Sequence, residues 1–101
     1  MKRQAIDDGG WFDIESATRF REDTFWNGSN HISCATGSQW DHQDLYCTRK
    51  GVYVLNRYSQ YRESHETWTR VSAEEAAAWL VRNGHEPPEG DLSQAVAEQE
   101  V

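Results

Sequence analysis

Between Asn30 and Ser72 the chain alternates short runs rich in Tyr, Val, Thr and Trp with clusters of turn residues, and this stretch constrains the fold most. Such side chains suit the pleated, half-buried surface of a strand. The pattern predicts strands at His31–Thr36, Asp44–Arg49, Val52–Ser59 and His65–Val71, with Lys50-Gly51 as a tight hairpin turn and Tyr61-Arg62-Glu63-Ser64 as the next one. Short links between consecutive strands favour an antiparallel meander. A two-residue turn sets Arg49 opposite Val52, Cys47 opposite Val54 and Leu45 opposite Asn56. Alternation then puts Ile32, Cys34, Leu45, Cys47, Val52, Val54, Tyr58 and Val71 on one side, and Ala35, Tyr46, Tyr53, Leu55, Arg57, Trp68 and Arg70 on the other. Neither side is polar throughout, so both need cover.

Helices are the natural cover. Ser72-Ala73-Glu74-Glu75 is a capping box, with Val71 and Ala76 at the staple positions and two carboxylates at the positive end of the helix dipole. Ala76, Ala77, Trp79 and Leu80 supply a packing face, Arg82 sits in the last turn, and Asn83-Gly84 followed by Pro87-Pro88 stops the helix. Trp11, Phe12, Ile14, Ala17 and Phe20 recur at three- and four-residue steps, which predicts a second, N-terminal helix over Asp13–Glu22. Before it, Asp7-Asp8-Gly9-Gly10 is rich in turn residues, and Asn27-Gly28-Ser29-Asn30 is a turn cluster. The expected fold is therefore α+β: one small domain, a four-stranded antiparallel meander packed by an N-terminal helix and a capped C-terminal helix. The globular part is set at residues 11–85. Residues 86–101 form an acidic tail in which Leu92, Ala95 and Val96 share one face of a short helix that needs a surface to lie on.

Charge separates the same two parts. The chain of 101 residues has 17 Asp and Glu against 10 Lys and Arg, a formal charge of −7. Glu86, Glu89, Asp91, Glu98 and Glu100, with no Lys or Arg among them, account for −5 of it and leave −2 for the rest. Such a tail repels phosphates and most membrane surfaces and suits a basic partner. No apolar run approaches the ~20 residues of a membrane helix, and the first ten residues hold no hydrophobic stretch of a secretory leader. The expected location is the cytoplasm, where Cys34 and Cys47 stay thiols. The predicted register sets them on neighbouring strands.

Catalytic motifs are sparse. His31, His42, His65 and His85 show no helical i, i+4 ligand spacing, and the two cysteines match no zinc pattern, so neither metal nor cofactor is expected. His42, between Asp41 and Asp44 in Trp40-Asp41-His42-Gln43-Asp44, is the one candidate acid or base. Thr36-Gly37-Ser38 offers backbone amides to an anion but lacks the length and Lys of a phosphate loop. Tyr46, Tyr53 and Trp68 with Arg57 and Arg70 form either a stacking platform for single-stranded nucleic acid or a core rimmed by arginines.

Ile32-Ser33-Cys34-Ala35-Thr36-Gly37-Ser38-Gln39-Trp40, Leu45-Tyr46-Cys47-Thr48, the run from Gly51 to Asn56 with Ser59-Gln60, and Glu74-Glu75-Ala76-Ala77-Ala78-Trp79-Leu80-Val81-Arg82-Asn83-Gly84 together resemble a group of short, uncharacterised bacterial proteins. The resemblance spans about Trp11 to Glu86. It implies a bacterial or mobile-element origin and a single compact domain, and transfers no catalytic role.

The functional expectation is a non-enzymatic protein-interaction or regulatory protein. One version is an acidic inhibitor, anti-defence or antitoxin-like, of a basic nucleic-acid-binding partner. Contacts are expected from Tyr46, Tyr53, Arg57, Trp68, Arg70, Trp40 and His42 and from the acidic tail, and a homodimer through the sheet would supply missing cover. The alternatives are a nucleic-acid-binding module using the aromatic face, against which net acidity weighs, and a small hydrolase or nuclease using His42.

Overall fold

The computed structural model describes residues 1–60, 66–86 and 91–101. The predicted turn at Tyr61–Ser64, His65, Pro87-Pro88 and Glu89 lie outside the described residues. Among the described residues eight strands and two helices follow in order: β1 Arg3–Ala5, β2 Trp11–Asp13, β3 Thr18–Arg21, β4 Thr24–Trp26, β5 His31–Ser33, β6 Asp41–Cys47, β7 Tyr53–Ser59, β8 Thr67–Val71, α1 Ala73–Arg82 and α2 Asp91–Glu98. They make a four-stranded antiparallel sheet in the order β3-β6-β7-β8 and two small hairpins, β1-β2 and β4-β5. The fold is a small α+β arrangement.

The segment expected to form an N-terminal helix is not helical. Phe20 packs with the helices on one side of the sheet, whereas Phe12, Ile14 and Ala17 join the cluster on the other. A helix presents one stripe to one surface, so these residues cannot share it. Strands reach both sides because their side chains alternate. The Asp13 carboxylate accepts from the amide of Glu15 and the hydroxyl of Ser16, turning the chain between β2 and β3.

The meander also begins elsewhere than expected. The Asn27–Asn30 turn, with Gly28 at φ 102° and the Asn27 side chain accepting from the amides of Ser29 and Asn30, folds β5 back on β4. β3 then takes the edge of β6, with Phe20 opposite Leu45 and Arg19 opposite Tyr46. Cys34, just beyond β5, donates its amide to the carbonyl of Asp23, while Cys47 lies opposite Thr18 and Tyr53, so the two cysteines are not on neighbouring strands. Both are free thiols.

The β6–β7 register differs from the expected one by a single residue. The turn holds three residues, Arg49 to Gly51. Thr48 and Val52 bracket it through Thr48 N–H to Val52 carbonyl at 2.8 Å, and Gly51 takes φ 82°. This is the three-residue loop that ends in a left-handed glycine. It pairs Cys47 with Tyr53, Tyr46 with Val54 and Leu45 with Leu55. The slip exchanges the faces of β7 relative to β6.

Both faces are covered, as their apolar content requires. On one side α1 and α2 pack on Leu45, with Ala76, Ala77, Leu80 and Leu92 at 0–1% exposure. Leu92 and Ala95 bury the predicted apolar face of α2, so the core extends past residue 85 into the stretch assigned to the tail. On the other side the β1–β2 hairpin brings Ile6 and Phe12 onto Tyr46, Val54 and Trp68, extending the core N-terminal to residue 11. Asp7 stitches that hairpin to the sheet edge, donating its amide to the Trp68 carbonyl and accepting the Trp68 amide on its carboxylate. Covered in this way, the sheet face needs no second subunit to account for its apolar residues.

α1 forms where its caps specify. The Ser72 hydroxyl accepts the Glu75 amide at 3.2 Å, and the Glu75 carboxylate returns to the Ser72 hydroxyl. At the far end, His85 N–H reaches the Leu80 carbonyl and Gly84 N–H the Val81 carbonyl, with Gly84 at φ 72°. This is a Schellman ending.

Candidate functional site

The aromatic residues that offered either a stacking platform or a core are divided between the two faces. Phe12, Tyr46 and Trp68 pack as a trio with centroids 5.3–5.9 Å apart, and Tyr46 and Trp68 are buried. Tyr53 packs on the helix side. Arg57 lies across from Gln43 and reaches Asp41 at 3.6 Å, while Arg70 belongs to the opposite face and pairs with Asp8 at 2.8 Å. Tyr46, Tyr53 and Trp68 therefore form no open platform. Thr36-Gly37-Ser38 offers few amides to an anion. The amides of Ala35 and Thr36 go to the Ser33 hydroxyl, that of Gly37 to the Ser33 carbonyl and that of Ser38 to the Thr36 hydroxyl.

A polar cluster continues the hairpin-side face beyond the aromatic trio. Alternation along β6 sets His42, Asp44 and Tyr46 on one side, and β3 adds Arg19 and, just past its end, Glu22. Asp44, 1% exposed, accepts from Arg19 Nη2 at 2.6 Å and Nε at 3.1 Å. That bond holds the Arg19 guanidinium more firmly protonated than usual. The Glu22 amide and the Tyr58 hydroxyl add longer donations at 3.4 and 3.5 Å. Burial, then the Asp44 charge, pushes the Tyr58 phenol above its ordinary value, so it stays a donor.

His42 is held by Glu22, not by its sequence neighbours Asp41 and Asp44. Its Nδ1 lies 2.8 Å from one Glu22 oxygen, while the other accepts the Gln43 amide at 2.6 Å. The Glu22 carboxylate fixes Nδ1 as the donor and leaves Nε2 as the free end of the imidazole. The ring packs against Tyr58 at 5.5 Å, and the buried Nε2 has no hydrogen-bond partner among the described residues. A carboxylate behind an imidazole is the arrangement of a general base. Glu22 was invisible locally: the signal is the pairing of β3 with β6, which a helical assignment of β3 conceals.

His31 and His85 have local roles. His31 packs edge-on to Trp26. His85 stacks on Trp79, packs on Phe20 and donates from Nε2 to the Arg21 carbonyl, clipping β3 to the end of α1. Asn83 adds to that clip, accepting the Asp23 amide at 2.9 Å and donating to the Trp79 carbonyl. Among the described residues no group of three or more His, Cys, Asp or Glu side chains is placed to hold a metal ion, and no helix is long and apolar enough to cross a membrane.

A second feature is the β4–β5 hairpin, which sequence reasoning passed over. Every residue of β4 is exposed, Phe25 at 49% and Trp26 at 60%. The hairpin root is firmly held by the Asp23–Cys34 backbone bond and by Ser33, which is fully buried. The signal was an adjacent aromatic pair beside a four-residue turn: two consecutive strand residues point to opposite sides, so a two-stranded ribbon cannot bury both. Trp40, at 41% exposure, is a further open aromatic. Of the acidic tail, Glu86, Glu98 and Glu100 are exposed, and Asp91 begins α2. Comparison with family models, with curated proteins and with solved structures finds no match for this chain.

Proposed function

We propose that the protein acts by binding another protein, with the β4–β5 hairpin as its contact element. The carrying observation is the outward display of Phe25 and Trp26 on a well-anchored hairpin. Aromatic side chains of this kind supply the central contacts of interfaces, and exposing them without a partner works against solubility. Charge selects the partner. Asp23 lies at the hairpin root close to Gly84, and residues 72–101 carry seven carboxylates against Arg82 alone. The fitting surface is an apolar pocket bordered by Lys and Arg, as on a nucleic-acid-binding protein whose basic site this acidic protein would occupy. The test compares partners captured from extract by the wild type and by Phe25→Ser/Trp26→Ser. A partner lost in the double variant and released by salt supports the reading. Capture unaffected by the variant overturns it. The charge contribution is tested by Glu98→Lys/Glu100→Lys, because deleting residues 86–101 would also strip Leu92 and Ala95 from the core.

The Glu22–His42 pair favours a second reading, a small hydrolase or nuclease with Nε2 as general base. Loss of a measured hydrolytic activity in both His42→Ala and Glu22→Gln, with circular dichroism unchanged, would establish it. The covered Nε2 ranks it second, since a substrate would first have to displace the surroundings of that atom.

A further inference from the structure

A cleft opens where the β1–β2 hairpin meets the β6–β7 turn, with a volume of about 350 Å³. That falls within the ~300–1,000 Å³ range of small-ligand sites. Its apolar wall is made by Ile6, Phe12 and Val52, continuous with the aromatic cluster. Trp11 stands at its edge, half exposed, with the Arg3 guanidinium 4.9 Å from its ring. Such a cation packed on an indole fixes the ring's orientation.

Arg49, Lys50 and Arg70 also line the cleft, a concentration of positive charge in a chain of net charge −7. Arg70 is already neutralised: Asp8 holds its Nε at 2.8 Å, and Asp8 is itself braced by the Gly10 amide. Gly10 matters here, because a Cβ at that position would come within 2.6 Å of Arg70 Nη2 and displace the guanidinium. Asp13, the lining carboxylate, is engaged by the Lys2 and Glu15 amides and the Ser16 hydroxyl. Arg49 and Lys50 are exposed and make no ion pair among the described residues. Their two charges match a phosphate monoester, which carries about −1.5 to −2 at neutral pH, better than a single carboxylate.

We propose that this cleft binds a phosphate monoester that carries an aromatic base, of the nucleoside monophosphate class, with the base against Trp11 and the apolar wall and the phosphate at Arg49 and Lys50. The site is separate from the β4–β5 hairpin and does not depend on the protein-binding reading.

The test is an NMR titration of the full chain with AMP, adenosine and inorganic phosphate. AMP is expected to bind more tightly than either fragment and to shift the Trp11 indole and the amides of Gly10, Arg49, Lys50 and Val52. Arg49→Ala/Lys50→Ala should weaken AMP by about tenfold or more and leave adenosine unchanged. Trp11→Ala should weaken AMP and adenosine but not phosphate. Absence of a saturable shift with AMP up to about 1 mM overturns the proposal. So does phosphate binding as tightly as AMP, or AMP binding that is indifferent to the Arg49/Lys50 variant.

Discussion

The two faces of the sheet are covered by different means. On the helix side, Leu45, Ala76, Ala77, Leu80 and Leu92 are closed off from solvent, and Trp79 Nε1 donates to Gln43 Oε1 at 3.0 Å across the layer. On the other side a hairpin of two three-residue strands covers Tyr46, Val54 and Trp68 and leaves the remainder of the face to Asp44, His42, Glu22 and Asn56. Helices of ten and eight residues lay a broader apolar surface on the sheet than two three-residue strands can. The part of the face beyond the hairpin is therefore completed by hydrogen bonds and ion pairs, in which each buried group needs its partner. This is why the Arg19–Asp44 and Glu22–His42 pairs gather on the hairpin side.

Substitutions on the two faces test the contrast. Leu80→Ala removes a fully buried side chain from the helix layer. It should cost about 2–5 kcal/mol in urea unfolding, whatever the pH or salt. Asp44→Ala strips the Arg19 guanidinium of its partner. Because Arg19 is part-exposed and can turn to water, the expected loss is smaller, about 1–3 kcal/mol. Asp44→Asn should recover part of it by keeping an acceptor. Equal losses in Leu80→Ala and Asp44→Ala would show that the polar half holds the fold as firmly as the apolar half.

The helix side was the more legible one for the same reason. Ser72, Glu75, Asn83 and Gly84 act within a few residues of one another, so the caps of α1 stand in the sequence as they stand in space. Ser72→Ala should cost about 1 kcal/mol of stability by freeing the Glu75 amide, measured in the same unfolding experiment. The hairpin side depends on distant pairings. Trp11, Phe12, Ile14, Ala17 and Phe20 mimic a helical stripe only until their separation onto two faces is known. The third residue of the β6–β7 turn changes the face of Tyr53 and Leu55, and nothing in Thr48-Arg49-Lys50-Gly51-Val52 counts turn residues unambiguously. Glu22 meets His42 across twenty residues of chain, through a strand pairing that local pattern does not announce.

The smallest predicted effect is the one that most sharpens the contrast. Two carboxylates of the β1–β2 hairpin are held below their ordinary values: Asp8 by the Gly10 amide and then Arg70, and Asp13 by the Lys2 amide, Ser16 and the Glu15 amide. A depressed folded-state value means that the stabilisation is present above the unfolded carboxylate value, near pH 4, and is lost as pH falls through the lower folded value. Acid should therefore loosen this hairpin before it touches the helix layer, whose core carries no such groups. Hydrogen exchange corrected for intrinsic rates should show declining protection below about pH 4 at the amides of Ile6, Asp7 and Ile14, which bond to Gly10, Trp68 and Lys2. Protection at Leu45 and Leu80 should persist through the same window. Asp8→Asn should remove its part of the pH dependence and lower protection at neutral pH, because the amide side chain keeps the turn but not the ion pair with Arg70. If protection fell together on both sides of the sheet, the hairpin and the helix layer would be a single cooperative unit, and the difference in how they are covered would have no consequence for how they open.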